Sequence, residues 1–478
     1  MSLKRQAAGG VFWNLLNSGT IAVLQFVHLA VLARLITKAD FGLAALAAVV
    51  AAFARVWVDL GLGNAIVQRQ QLTRDQLSTI LWIGVGMGGL VWLVMSALAP
   101  WIARYYEEPG LAGLIALVGA GFLLFPVANQ YLLLLMKELR FRSIAIAEIL
   151  AKLASVGVTL ALAAAGHGPW SIAWGMLVSE FMRAVLMCAF GLDLLRPVWT
   201  FQPRALSDLK SFGMFQLGTR MIQSFVQDLD VLIVGKVIGR EGVGIYSYAK
   251  QLVLAPILMI VPIVTQVSFP TMARVQAEPE RFRGLFLRSL RTVIYLVFPV
   301  CALLMVTADE VVILCFGRAW GATLLIVQIL AIFAALRAVA TLLGVMMNAC
   351  GRMRRQFFWN LAQLILAPLA MVPMADRGLT GVAWGWTGLQ LALVLPGWLA
   401  LVRPVCGATV REYFGLFIGP LALSALVVVA GYAAQMPFAG HLARLAAAGV
   451  VGGAITLAAN AWANRDLVDL LKRGPKVA

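Results

Sequence analysis

The sequence predicts an all-α integral membrane protein with about fourteen transmembrane helices. The 478 residues are 62% hydrophobic and only 12% charged, whereas ordinary soluble domains are about 45–50% apolar and about 25% charged. The apolar residues also fall in runs of about 20, the length that a helix needs to cross a bilayer. Only short loops separate these runs, so little sequence is left for a soluble domain.

Fourteen segments have the required length and composition. They lie at about residues 11–33, 41–64, 77–99, 111–135, 144–165, 169–190, 211–234, 243–268, 287–307, 322–349, 356–375, 379–402, 413–433 and 441–463. The stretch 308–321 interrupts the apolar pattern, because it contains Asp309, Glu310, Arg318 and Trp320. We predict an interfacial turn there.

The positions of lysine and arginine predict the orientation. If the N-terminus is cytoplasmic, 24 of the 38 basic residues fall in cytoplasmic segments, eight fall on the opposite side and six lie within spans. Because cytoplasmic loops of membrane proteins carry the excess of Lys and Arg, both termini are predicted to be cytoplasmic. The net charge of +17 is therefore explained by orientation, and no nucleic-acid partner is predicted.

The chain resembles itself at an offset of 202 residues. Residues 35–42 (LITKADFG) align with residues 237–244 (VIGREGVG). Each copy contains an even number of spans, so the two copies have the same orientation, an arrangement known from transporters with a substrate site between the repeats. We predict a six-helix lobe at 1–205, a second at 206–410, two additional helices at 411–464 and a basic cytoplasmic tail at 465–478.

Polar residues follow one face of the seventh predicted span. They are Gln216, Arg220, Gln223, Gln227 and Asp230. The alternating spacing of four and three places all five on one side of a helix. The equivalent face of the first span contains Asn14, Ser18, Gln25 and His28. Since polar groups are costly against lipid, these stripes predict a hydrated cavity; hydrogen bonds between helices are the alternative.

Several full charges lie within predicted spans and mark candidate binding residues. Arg220 and Arg337 are the main candidates for contacting an anionic substrate, because guanidinium offers a permanent bidentate charge to phosphate. Arg55 and Lys250 are further candidates. The pairs 55/59, 148/152 and 180/183 have helical spacing, so they are alternatively structural ion pairs. The candidate carboxylates for proton or sodium coupling are Asp59, Asp228, Asp230 and Glu180.

No cofactor, metal site or catalytic motif is predicted. The five cysteines, at 188, 301, 315, 350 and 406, lack the spacing of a metal or redox motif. His28, His167 and His441 are far apart in sequence. We therefore predict a membrane protein that is not an enzyme.

Short motifs at several separated points resemble a known family. They are Leu32-Ala33-Arg34-Leu35 through Asp40-Phe41-Gly42, Val58-Asp59-Leu60-Gly61-Leu62-Gly63 with Gln68-Arg69, Tyr105-Tyr106-Glu107-Glu108-Pro109, Tyr246 to Ala249-Lys250-Gln251, and Ser268-Phe269-Pro270. The chain is similar, over about residues 5–410, to the polysaccharide-transporter branch of the multidrug/oligosaccharidyl-lipid/polysaccharide exporter superfamily, especially exporters of colanic-acid and teichuronic-acid type.

The resemblance implies two six-helix lobes around a V-shaped cavity in the bacterial inner membrane. It implies a flippase that moves an undecaprenyl-pyrophosphate-linked oligosaccharide to the periplasmic leaflet by alternating access. Membrane lipids and a polysaccharide polymerase are the other expected partners. A drug/cation antiporter of the same superfamily is an alternative function, and a membrane-bound polymerase or glycosyltransferase is another.

Overall fold

The structure is a computed structural model that describes residues 3–59, 73–199 and 214–463. Within these ranges the regular elements are all helices. The chain packs as two compact units, residues 1–247 and 248–478, and the division falls inside one long helix. The predicted division into lobes at 205 and 410 rests on the repeat alone and stays a prediction.

The described part of the first unit is built from helices. They are α1 (Leu3–Leu35), α2 (Lys38–Asp59), α3 (Arg74–Tyr106), α4 (Gly110–Gly119), α5 (Phe125–Lys137), α6 (Phe141–Ala164), α7 (Pro169–Gly191), α8 (Met214–Val237) and the start of α9 (Arg240–Arg274).

Local sequence determines where some of these helices begin. The Thr73 side chain accepts a hydrogen bond from the Gln76 backbone and completes a capping box at the start of α3. Pro169 occupies the first turn of α7, where its missing N–H has no helical partner to lose.

One cluster of apolar side chains holds α3, α5, α6 and α7 together. Tyr131, Leu135, Ala147 and Met187 are fully buried in it. The Tyr131 hydroxyl donates to the backbone oxygen of Leu195 at 2.9 Å, so the segment after α7 is tied to this core. A buried tyrosine needs such a partner, because an unpaired hydroxyl in an apolar site costs about 1–3 kcal/mol.

The second unit contains the rest of α9 and the remaining helices. They are α10 (Pro279–Val306), α11 (Ala308–Val311), α12 (Thr323–Ala349), α13 (Met353–Met371), α14 (Gly378–Ala392), α15 (Val394–Gly397), α16 (Arg403–Cys406), α17 (Val410–Gln435) and α18 (His441–Ala463). The stretch 308–321 breaks into short helical pieces, which are α11, a π turn at Val312–Phe316 and a 3-10 turn at Arg318–Trp320. Its position at the membrane interface stays a prediction.

The last two helices pack on α10 through small residues. A Cβ at Gly431 would lie 3.1 Å from Val306, and a Cβ at Gly452 would lie 2.8 Å from Leu303. The Asn460 side chain donates to the Tyr295 backbone oxygen at 3.0 Å. Small residues and side-chain amides are what hold helices together within a membrane, where apolar burial alone supplies no driving force.

The outward surface of the helices is apolar. Leu258, Ile418, Val450 and Leu457 are all more than 70% exposed. Water would disfavour such a surface, whereas lipid matches it. Twelve helical segments of the described residues are long and apolar enough to cross a membrane, so the chain is a multi-pass membrane protein.

Helices α8 and α13 also lie where spans were predicted, but they are not among these twelve. α8 carries Arg220, Asp228 and Asp230, and α13 carries Arg354 and Arg355, so both fail a test based on hydropathy. The total of fourteen spans and the cytoplasmic termini therefore stay predictions.

The internal repeat is visible in the helix boundaries. α1 ends at Leu35 and α2 begins at Lys38, while α8 ends at Val237 and α9 begins at Arg240. Both pairs of positions differ by the predicted offset of 202. The repeat alignment is therefore confirmed at this helix break.

Candidate functional site

Five charged side chains of α2, α6 and α7 make up what we call the charge cluster of the first unit: four are joined by ion pairs, and Lys152 lies one helical turn from Glu148. They are Arg55, Glu148, Lys152, Glu180 and Arg183. Arg55 contacts Glu180 at 2.9 Å, and Arg183 contacts Glu148 at 2.8 Å and Glu180 at 3.8 Å. The Lys152 ammonium donates to the side-chain oxygen of Gln25 on α1. Among the described residues, the cluster thus contains three basic and two acidic side chains from three helices.

The cluster lies deep in the predicted membrane. With a rise of 1.5 Å per residue, Lys152 is about 18 Å from the end of α6 and Glu180 about 17 Å from the start of α7. The apolar core of a bilayer is about 30 Å thick, so both residues lie near its middle. Ionised groups at this depth are costly unless they are paired or serve a pathway.

Two of the ion pairs join different helices, which the sequence spacing did not predict. Glu148 pairs with Arg183 of α7, although Lys152 lies one turn away on its own helix. Arg55 reaches Glu180 of α7 and also lies over the Phe125 ring at 4.0 Å. Only the 180/183 pair has the predicted partners. The Asp59 side chain lies outside the described residues, so the predicted 55/59 pair is untested.

Glu180 has an unused hydrogen-bonding atom. Its Oε2 is buried and accepts no hydrogen bond, although the Arg183 guanidinium is 3.8 Å away. Arg55, by contrast, is 39% exposed at its side chain. The cluster therefore combines an accessible guanidinium with a carboxylate oxygen that has room for another donor.

The polar stripe of α8 divides into an exposed part and a buried part. Gln223 and Gln227 are exposed, and Arg220 and Asp228 are half-buried. Asp230 is fully buried. Its carboxylate accepts hydrogen bonds from the Tyr246 hydroxyl at 3.0 Å and from the Val231 backbone at 2.9 Å. Asp230 therefore joins α8 to the start of α9.

The repeat-related helix starts make a close reciprocal contact, which we call the repeat junction (Lys38, Gly42, Arg240, Glu241 and Gly244). A Cβ at Gly42 would lie 1.8 Å from the backbone oxygen of Arg240. A Cβ at Gly244 would lie 1.9 Å from the backbone oxygen of Lys38. Lys38 and Glu241 form an ion pair at 3.7 Å. Only glycine allows two backbones to approach this closely.

The end of α3 reinforces the repeat junction. Arg240 pairs with Glu108 at 3.1 Å, and Lys236 pairs with Glu107 at 3.3 Å. The Lys236 ammonium also donates to the Tyr105 backbone oxygen at 2.8 Å. The motif at residues 105–109 therefore packs against the helix break of the second repeat. This junction lies at the end of the helices that is predicted to face the periplasm.

The structure brings together three of the predicted site residues, Gln25, Arg55 and Glu180, through the charge cluster. Arg220, Gln223, Gln227 and Asp228 lie on α8, which packs against α2 where the rings of Phe53 and Phe225 meet. In the second unit, Lys250 is buried in α9 and Arg337 is half-buried in α12. The side chains of Asn14 and Gln216 lie outside the described residues. The binding role of every one of these residues stays a prediction.

Sequence reasoning missed a polar face on α13. Gln356 and Asn360 are both buried, and Gln356 Oε1 and Asn360 Nδ2 have no hydrogen-bond partner. Gln363, one turn further along, accepts a hydrogen bond from Gln390 of α14 at 3.3 Å. The spacing of four and three is the same signal that identified the stripe on α8. This spacing of polar residues on α13 could have been found in the sequence.

Comparison with known proteins identifies the family. The family described as polysaccharide biosynthesis protein matches residues 31–325. The chain belongs to this family. It is 29% identical over 446 residues to lipopolysaccharide biosynthesis protein WzxC of Escherichia coli (strain K12), covering 93% of this chain and 90% of that protein. It is 28% identical over 437 residues to teichuronic acid biosynthesis protein TuaB of Bacillus subtilis (strain 168), covering 91% and 90%.

Solved structures confirm the fold of this polysaccharide biosynthesis protein. The lipid II flippase MurJ in an inward closed conformation matches with a TM-score of 0.73 at 12% identity, covering 96% of this chain and all of that chain. An inward-facing multidrug resistance MATE transporter of the MOP superfamily matches with a TM-score of 0.55 at 17% identity, covering 85% and 96%. The chain therefore has the fold of these transporters, and its family and membrane helices make it a multi-pass inner-membrane protein.

Proposed function

We propose that the chain is a flippase for an undecaprenyl-pyrophosphate-linked oligosaccharide, carried from the cytoplasmic to the periplasmic leaflet. The observation that carries the proposal is the partly exposed Arg55 guanidinium, which an ion pair with Glu180 holds inside a predicted span. A pyrophosphate group needs a cation along its path, and guanidinium suits phosphate best. The family and its named relatives support the same class of substrate.

The arginines within the predicted spans also separate this proposal from its rivals. A drug/cation antiporter would place uncompensated carboxylates in the membrane, because its substrates are cationic. A polymerase or glycosyltransferase would need catalytic groups that make or break a glycosidic bond. In the flippase proposed here no covalent bond changes. The lipid tail stays in the bilayer while the charged head group crosses between the helices.

Alternating access requires the repeat junction to open at the release step. The contact at Gly42 and Gly244 closes one end of the helices, and the ion pairs around Arg240 reinforce it. The membrane potential favours release outside, by about 2.3 kcal/mol per negative charge per 100 mV. A proton or sodium gradient supplies further driving force in this proposal. Among the candidate carboxylates, Glu180 suits coupling better than Asp230, whose two oxygens both accept hydrogen bonds.

The test is the sidedness of lipid-linked oligosaccharide in a strain without this gene. The strain is complemented with wild type, R55A, the double variant R220A/R337A, or the control R104A, which removes an exposed arginine at the end of α3. We expect wild type and R104A to clear the intermediate from the cytoplasmic leaflet, and R55A to leave it there. The double variant tests the two arginines predicted from sequence.

The outcomes distinguish a wrong site assignment from a wrong function. If R55A clears the intermediate as well as R104A does, the charge cluster is not the pyrophosphate path, although the flippase function survives. If the deletion strain has no other exporter, accumulates nothing and keeps its surface polysaccharide, the flippase function itself is wrong.

A further inference from the structure

Three potential metal ligands from distant parts of the sequence meet in the second unit. Asp309 and Glu310 lie on α11, and His441 is the first residue of α18. One ligand atom from each lies within 4.8 Å of the other two. His441 Nδ1 is 4.0 Å from Asp309 Oδ2. We call these residues the α11–α18 triad.

Two atoms of the triad are buried without a hydrogen bond. Glu310 is 3% exposed, and its Oε2 has no hydrogen-bond partner. His441 Nδ1 is likewise buried and unbonded. An unsatisfied carboxylate oxygen is among the more costly groups to bury, at about 1–3 kcal/mol or more. Both atoms belong to the same small cluster, so one shared ligand would satisfy both.

The geometry leaves room for a metal and for water. The side chains of Asp309 and His441 are 46% and 32% exposed, so an ion can reach the triad from one side. Ligand atoms bound to one Zn²⁺ at about 2.1 Å lie no more than about 4.2 Å apart. Closing the triad around an ion therefore needs less than about 1 Å of side-chain movement.

The framework of the triad is held in place from both sides. The Gln435 side chain, at the end of α17, donates to the Val306 backbone oxygen at 3.4 Å and joins α17 to the end of α10. The Arg444 side chain donates to the Phe438 backbone oxygen at 2.7 Å and fixes the loop that leads into His441. The ligands are therefore positioned by packed helices, as a metal site requires.

We propose that the α11–α18 triad binds a divalent transition metal of the Zn²⁺ class. One imidazole nitrogen and two carboxylates are ligands that zinc accepts, with water in the open position. Such an ion connects α18 to the short helix that follows α10. It is a structural clip at the end of the helices opposite the arginine-rich loops. The site is distinct from the charge cluster and does not depend on the flippase proposal.

A metal-free account of the same residues makes different predictions. The first turn of α18 has unpaired backbone N–H groups, and the helix dipole attracts the carboxylates of Asp309 and Glu310 to it. A protonated His441 would add an ion pair with Asp309. This account gives no partner to Glu310 Oε2, and it predicts that added metal changes nothing.

The experiment measures metal binding by the full-length protein in nanodiscs, after removal of any affinity tag. Wild type, H441A, E310Q and the control H167A are titrated with ZnCl2 by calorimetry and with Co²⁺ by visible absorption. His167 belongs to no metal-ligand cluster among the described residues, so H167A tests the loss of an unrelated histidine. Thiolate charge-transfer bands would reveal any Co²⁺ bound by the five cysteines instead.

We expect one Zn²⁺ per chain in wild type and H167A, with Co²⁺ bands of nitrogen and oxygen ligands. H441A and E310Q should each weaken binding more than about tenfold, because even losing a group behind a ligand costs about 10–100-fold. Zn²⁺ should raise the Tm of wild type and H167A but not of the two variants. E310Q keeps the side-chain shape, so it stays informative if H441A does not fold.

Equal Zn²⁺ affinity in E310Q and wild type would overturn the proposal, as would Co²⁺ bands of thiolate type only. A wild type that binds no metal, with H441A and E310Q less stable in its absence, would show that the triad is a metal-free helix cap.

Discussion

The repeat junction gives the most direct test of how the two repeats move. Gly42→Ala adds one methyl group where the structure has a backbone oxygen 1.8 Å away, and Gly244→Ala does the same at 1.9 Å. Ordinary van der Waals contact begins at 3.4 Å. The starts of α2 and α9 would therefore have to separate by roughly 1.5 Å in either variant, since the neighbouring atoms belong to backbone that cannot rotate away.

The added methyl group destabilises only the conformation in which this contact is closed. Forcing one extra methyl group into a packed contact costs about 1–3 kcal/mol. A conformation with the junction open is not destabilised by the methyl group. The ratio of open to closed molecules should therefore rise about 5-fold to 150-fold. The two contacts belong to one interface, so the double variant should show less than the sum of the two effects.

Cross-linking across the junction measures this ratio. Lys38 and Glu241 form an ion pair at 3.7 Å, so K38C/E241C places two thiols at the closed contact. In a background without the five native cysteines, a short thiol cross-linker should join them, and mass spectrometry of proteolytic peptides measures the fraction. We expect G42A and G244A to lower that fraction. G157A is the matched control, because a Cβ there meets nothing within 4 Å.

If G42A and G244A cross-link as completely as G157A, the close contact is not a barrier to separation and the reasoning fails. Loss of cross-linking in G157A as well would show that alanine in any of these helices is disruptive. Flipping activity adds a second measure, since a junction that no longer closes should lower transport without lowering the amount of protein in the membrane.

Three further predictions concern stability and pH. Arg183→Ala removes the shared partner of two half-buried glutamates and should destabilise the first unit by about 3 kcal/mol, measured as a lower Tm that neutralising one glutamate partly restores. Tyr246→Phe leaves an oxygen of buried Asp230 without its hydroxyl donor, which should cost about 1–3 kcal/mol; an unchanged Tm would contradict this. The hydrogen bond from Arg140 lowers the pKa of Asp193. The ionised Asp193 therefore stabilises the fold at neutral pH, and this stabilisation is lost as the pH falls below about 4 through the lowered pKa. Asp193→Asn should remove this part of the acid sensitivity.

The sequence predicted the helices well because each span is an independent local signal. Apolar length determines a transmembrane helix without reference to the rest of the fold. The repeat went further, since aligning residues 35–42 with residues 237–244 matched the two helix breaks to each other to the residue. Even the polar helices α8 and α13 lie where they were predicted, although their hydropathy alone would not identify them.

The partners of intramembrane charges could not be predicted in the same way. Helical spacing suggested that Glu148 pairs with Lys152, whereas it pairs with Arg183 of the neighbouring helix. An ion pair between helices depends on the rotation of each helix, and one sequence contains no direct record of that rotation. The α11–α18 triad was missed for a related reason. Asp309 and His441 are separated by several spans, and only the packing of α18 near α11 brings them together.

The reciprocal form of the repeat junction carries a record of how the chain arose. Gly42 faces the backbone oxygen of Arg240, and Gly244 faces that of Lys38, so the same pair of equivalent positions meets twice with the two repeats exchanged. That is the signature of an isologous two-fold interface between identical subunits. A six-helix ancestor would have formed this contact with a second copy of itself, and a single glycine codon would have supplied both sides. After fusion of the two copies, each glycine is inherited separately, and either one can be lost while the other remains.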